Sequence, residues 1–158
     1  EGYDVAVRIG PIADSGLMGR KLAELPLVLV ASPDYIARHG APRSIDDLQQ
    51  HACLRYILGG RPYAWIWRDG SALVPDGPLD SNSGDTLRLA ALHGAGIVHL
   101  LRAAVADDIA AGKLVVVLPD LPMRTLPIHA LHAFGRQIPL RVRIFIDFLV
   151  ECFAAMEG

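Results

Sequence analysis

Residues 97–118 read Ile97-Val98-His99-Leu100-Leu101, then Arg102 to Ala111, Gly112, Lys113 and finally Leu114-Val115-Val116-Val117-Leu118. The first run is apolar and short enough for a strand. The middle run is rich in alanine and closes on a glycine, as a helix does. The last run is a second strand. Strands alternating with helices of about ten residues predict an α/β sandwich with a largely parallel sheet.

The same texture extends outward. Leu87, Leu89, Ala90, Ala91 and Leu92 form a helical pattern that ends in Gly94-Ala95-Gly96, and Leu25–Ala31 holds the apolar run Leu27-Val28-Leu29-Val30. Ser32-Pro33 opens a helix with Ser as cap and Pro in the first turn, and Gly40 stops it. Ser44-Ile45-Asp46-Asp47 reads as a second, capping-box start. Tyr3–Ile9 is strand-like and halts at Gly10-Pro11. Cys53–Leu79 differs: Trp65 and Trp67 alternate with Ala64 and Ile66 among Gly and Pro, which predicts short antiparallel strands. Pro127–Phe134 is a last strand. The helix from Pro139 repeats Val142, Phe145, Ile146, Leu149, Phe153 and Met156 on one face.

With 158 residues, 52% hydrophobic and 20% charged, and a mean hydropathy of +0.33, the chain can build a packed core and is not a disordered segment. No apolar run reaches the ~18 residues of a membrane span. A net charge of -2 argues against a stand-alone nucleic-acid binder, which needs a basic surplus. Cys53 and Cys152 are too few for a disulfide scaffold and fit no zinc spacing; they read as buried thiols in a reducing compartment. Glu1-Gly2 runs straight into the first strand without Met or leader, so the chain reads as a piece of a longer protein.

Several motifs lose to simpler readings. Gly94-Ala95-Gly96 follows a helix and precedes a strand, the reverse of a dinucleotide loop. His129 and His132, three apart on a strand, point to opposite faces and cannot share a metal. His51 and Cys53 lack a third ligand. No Ser or Cys has a base beside it in the pattern of a nucleophile, so no enzyme or cofactor is predicted.

Ligands of open α/β sheets lie beyond the carboxyl ends of the strands. That rule points to Arg8–Ile12, including Gly10 and Pro11, to Ala31–Pro33 with Ser32, and to Asn82-Ser83-Gly84-Asp85. Free amides at the helix start after Asn82 and Ser83 could hold a carboxylate or hydroxyl; a plain cap is the default. Arg8 lies in a segment expected to be buried, where a guanidinium needs a partner from protein or from an acidic ligand. His99 shares a strand face with Ile97 and Leu101, where a satisfied core histidine is the default.

Read in order, these strings resemble a known family. Asp4-Val5-Ala6-Val7-Arg8-Ile9-Gly10-Pro11, Leu29-Val30-Ala31-Ser32-Pro33-Asp34-Tyr35, His51-Ala52-Cys53-Leu54-Arg55-Tyr56, Asn82-Ser83-Gly84-Asp85, Gly94-Ala95-Gly96-Ile97, Ala110-Ala111-Gly112-Lys113-Leu114 and Arg141 to Leu149 are similar to the effector-binding domain of LysR-type transcriptional regulators. The resemblance runs from Tyr3 to about Phe153, nearly the whole chain.

It implies a two-lobed fold of the type-2 periplasmic-binding-protein kind, with residues 1–24 and 119–158 in a first, incomplete lobe and 25–118 in a second. It implies a small acidic or polar effector between the lobes, met by Arg8, Gly10, Pro11, Ser32, Asn82, Ser83 and His99, and no metal or cofactor. It further implies a dimer or tetramer in the cytoplasm. Promoter DNA would be bound through an N-terminal helix-turn-helix that this chain lacks, with RNA polymerase a further candidate partner. Where many relatives have proline after this strand, the chain has His99 and then Arg102, a departure that bears on effector choice. The rival expectation is an exported solute-binding protein, or a small-molecule enzyme of the same fold.

Overall fold

A computed structural model describes residues 2–12 and 15–156. In chain order the strands are β1 (Ala6–Ile9), β2 (Met18–Leu25), β3 (Leu27–Ala31), β4 (Cys53–Leu58), β5 (Arg61–Pro62), β6 (Trp65–Ile66), β7 (Ala72–Leu73), β8 (Leu79–Ser81), β9 (Ile97–Leu101), β10 (Val115–Val117) and β11 (Leu126–His132). The helices are α1 (Pro33–His39), α2 (Gly84–Leu92), α3 (Arg102–Ala110) and α4 (Leu140–Met156). The chain forms two compact units: unit 1 is Glu1–Leu25 with Thr125–Gly158, and unit 2 is Pro26–Arg124.

Unit 2 is built on a sheet of order β10-β3-β9-β4-β5, with β8 also pairing to β4. β3 is apolar at every position because both its faces are covered. Val28 and Val30 pack with Leu54, Leu87, Ala91, Val98, Leu100 and Val105, the side of α2 and α3. Leu29 and Ala31 pack on the other side with Tyr35, Leu48, Trp65, Trp67 and Ile97. The sheet is mixed rather than largely parallel. β4 runs parallel to β8 and β9, but β3 is antiparallel to both of its neighbours, β9 and β10. The strand–helix–strand unit from β9 through α3 to β10 therefore keeps its parallel sense with β3 wedged between.

Local chemistry explains the ends of the elements. Ser32 Oγ accepts from Tyr35 N at 3.1 Å and Gly40 closes α1. The start at Ser44 is a single 3-10 turn, Asp46–Gln50, rather than a helix, although Ser44 Oγ still accepts from Asp47 N at 3.2 Å. The tryptophan segment forms the expected hairpins, β4 with β5 and β6 with β7. The segment 119–124, expected in the first lobe, stays with unit 2. Leu118 turns it at φ +51, Arg124 N donates to Ile66 O at 2.9 Å, and Met123 bridges to Trp67.

Unit 1 is an antiparallel sheet of order β1-β11-β2 with α4 on one face. β1 begins at Ala6, later than the expected Tyr3. Its core holds Leu22, Ala23, Ile128, Ala130, Val142 and Ile146, with Leu149 and Phe153 partly buried. Phe145 and Met156, expected on the buried face of α4, are exposed instead. Arg141 pairs with Asp4 at 3.0 Å and Arg20 with Asp147 at 2.7 Å, both at the surface.

Candidate functional site

Strand direction decides which candidate residues can act together. In unit 2, Leu27 stands opposite Leu101 and Val30 opposite Val98, so Ser32, after β3, lies at the edge where β9 begins. Asn82 and Ser83 follow β8, at the edge where β4, β8 and β9 end. The carboxyl-end rule describes parallel strands, so on the antiparallel β3 it leaves Ser32 at the opposite edge of the sheet from Asn82 and Ser83. Ser32 caps α1 beside the turn at Gly94, where an added Cβ would lie 3.5 Å from Ser32 Oγ. Gly94, at φ +80, ends α2 and carries a carbonyl that accepts from Arg38 Nη2 at 2.9 Å. It is a helix stop, as expected.

Ser83 caps α2, its Oγ accepting from Thr86 N at 3.3 Å, while its own N–H donates to Ser81 Oγ at 3.0 Å. An Oγ that accepts one bond keeps its O–H to give, so capping leaves Ser83 able to donate to a ligand. Asn82 beside it is exposed. The start of α2 rests on β9: a Cβ at Gly84 would lie 3.7 Å from Leu100 Cδ2.

His99, next to Leu100, is not the satisfied core histidine expected. It is 8% exposed, and its Nε2 is buried with no hydrogen-bond partner. Tyr63 stacks on it at 6.5 Å between ring centres and Trp65 tilts against it at 6.0 Å. Burial pushes its pKa down to about 4, so at neutral pH the ring is uncharged. Trp67 Nε1, on the same side of the sheet, is likewise buried and unpartnered.

In unit 1, Arg8 is exposed rather than buried, and makes no ion pair among the described residues. Gly10 is buried at φ +100, a conformation that calls for glycine, and donates to Pro127 O at 2.8 Å. Pro11 is exposed. Each unit holds its own subset of the candidates: Arg8, Gly10 and Pro11 in unit 1, and Ser32, Asn82, Ser83 and His99 in unit 2.

Sequence reading missed a polar cluster around Tyr35. Its hydroxyl is hydrogen-bonded to His51 Nδ1 at 2.8 Å and accepts from Ala52 N at 3.1 Å, while His39 stacks on its ring. Burial lowers the His51 pKa, helped by the nearby His39. Cys53 donates to Leu48 O at 3.6 Å, and burial pushes its thiol up to about 12, so it is unreactive. His51 and Cys53 thus have separate partners. Among the described residues no group of three His, Cys, Asp or Glu could hold a metal. No helix among them is long and apolar enough to cross a membrane.

The family described as LysR substrate binding domain matches residues 1–154. Over 151 residues the chain is 38% identical to the HTH-type transcriptional regulator CrgA of Neisseria meningitidis serogroup B, covering 94% of this chain and 50% of that one. The solved regulatory domain of Neisseria meningitidis CrgA matches with a TM-score of 0.79 at 37% identity, over 95% of this chain and 75% of that one. Full-length AphB, a virulence activator of Vibrio cholerae and a member of the LTTR family, matches with a TM-score of 0.79 at 31% identity, over 94% of this chain and 52% of that one. The chain spans about half the length of the curated relatives it matches. These relatives are transcriptional regulators and not enzymes, and their regulatory domains have the periplasmic-binding-protein-like fold. The chain belongs to the LysR substrate-binding-domain family, as the regulatory, effector-binding domain of a LysR-type transcriptional regulator.

Proposed function

We propose that the chain binds a small acidic or polar molecule and that occupancy biases a cytoplasmic, DNA-binding regulator between two states. The observation that carries this reading is His99. Its uncharged ring, packed against Tyr63 and Trp65 on the face of the sheet away from α2, holds a buried and unpartnered nitrogen. Leaving such a group unsatisfied costs free energy in the empty protein, which a ligand that completes the bond recovers. Asn82 and Ser83 of unit 2, with Arg8, Gly10 and Pro11 of unit 1, are the other residues proposed for effector contact. Ser32 is left out of this set because it lies at the opposite edge of the sheet from Asn82 and Ser83.

The names of the relatives, HTH-type regulators about twice as long, support promoter binding through a helix-turn-helix outside this chain; assembly as a dimer or tetramer is proposed with it. RNA polymerase is a further proposed partner. An effector shifts such a regulator only by its difference in affinity for two states. A tenfold difference corresponds to about 1.4 kcal/mol. The test is calorimetric titration of the regulator with a panel of aliphatic and aromatic carboxylates, repeated on His99→Leu. A compound that binds saturably and loses at least tenfold in affinity in His99→Leu supports the reading. Equal affinity in both proteins, for every binder in the panel, removes His99 from the site.

A further inference from the structure

We propose that unit 1 carries an anion site of its own, in which Arg8 and His129 hold the carboxylate of an acid whose apolar body lies against the exposed Ile12, above the buried Leu131. The inference deepens the function proposed above and rests on it for the ligand class. It starts from strand register. Arg8 stands directly opposite His129, and His129, just past an irregularity in the ladder after Ile128, stands opposite Lys21, so one row across β1, β11 and β2 carries three nitrogen-bearing side chains. Directly opposed residues share a face of the sheet. Ile128 and Ala130 alternate with them and pack beneath Val142 and Ile146 of α4, so the basic row lies on the face away from that helix.

Lys21 is neutralised: it pairs with Glu24, whose other oxygen accepts from the Thr125 hydroxyl at 2.7 Å. Arg8 makes no ion pair among the described residues. His129 Nδ1 is buried with no hydrogen-bond partner. A guanidinium and an imidazole N–H together present the donors that a planar carboxylate accepts. The adjoining row on the same face is apolar: Leu131 stands opposite both Ala6 and Gly19. A Cβ added at Gly19 would lie 2.8 Å from Leu131 Cδ2, 3.4 Å from Ile12 Cδ1 and 3.9 Å from His129 Cδ2, so these three side chains converge over the glycine. Donors and apolar floor therefore meet at His129, which matches an acid with a hydrophobic body.

Phenylacetate is a suitable probe, with 2-phenylethanol as its uncharged match and acetate as the carboxylate without a body. The ring signals of His129, assigned with His129→Gln, are followed by NMR at fixed pH in this chain. Phenylacetate is expected to move them saturably, with 2-phenylethanol and acetate at least tenfold weaker. Arg8→Gln should weaken phenylacetate at least tenfold, and Arg8→Lys should restore part of that loss. Movement at His129 that survives His99→Leu supports the row independently of unit 2. An unmoved His129 signal, or one that moves equally with 2-phenylethanol or in Arg8→Gln, overturns it. If phenylacetate moves His99 alone, the row falls while the function proposed for unit 2 stands.

Discussion

His99 concentrates the physical tension of unit 2 in one side chain. Its buried ring packs against Tyr63 and Trp65, where charging it is costly. The folded pKa is about 4 against an ordinary 6.5, so as pH falls through that interval the unfolded chain takes up the proton first. Stability is therefore full above about pH 6.5 and declines toward pH 4. Between pH 7 and 4.5 the loss from this group is on the order of 2 kcal/mol. Urea unfolding at those two pH values should show His99→Leu losing less stability than the unmodified chain by about that amount; equal losses would mean the ring is not held neutral. The alternation of Ile97, His99 and Leu101 was enough to predict a strand face. It could not reveal an orphaned nitrogen, because the flanking rings come from a hairpin far upstream in sequence.

At the scale of elements, ends were legible where a side chain or a glycine makes them. Ser32, Pro33 and Gly40 bound α1 as expected, and Ser83 caps α2. Ser83→Ala should cost about 1 kcal/mol in chemical denaturation, with Ser83→Thr retaining most of the stability, because the Thr hydroxyl can still accept from the Thr86 amide. No change in Ser83→Ala would show that the cap contributes nothing. β2 escaped the sequence reading altogether. Met18-Gly19-Arg20-Lys21 alternate no apolar face, and only Leu22 and Ala23 of that strand are buried. In α4 the helix itself was plain, but its apolar residues exceed one face: Ile144, Phe145 and Phe148 are exposed while Val142 and Ile146 are buried. Periodicity identifies such a helix without saying which of two apolar stripes meets the sheet.

At the scale of the molecule, the alternation of strands and helices gave the α/β class and the resemblance gave the two units. Neither could foresee that β3 runs against its neighbours, since strand order is fixed by pairings distant in sequence. That single reversal sends Ser32 to one edge of the sheet and Ser83 to the other, and it reduces the candidate set in unit 2 to Asn82, Ser83 and His99. Under the proposed function, a ligand there would act on transcription only through its preference between two states of the whole regulator. The most direct measurement is promoter occupancy by the full-length regulator, read by fluorescence anisotropy and titrated with a carboxylate that binds this domain. The midpoint of promoter binding should shift about tenfold, corresponding to ~1.4 kcal/mol, in the unmodified regulator and less than about twofold in His99→Leu. A carboxylate that saturates the domain yet leaves promoter occupancy unchanged, or shifts both proteins equally, would contradict the account.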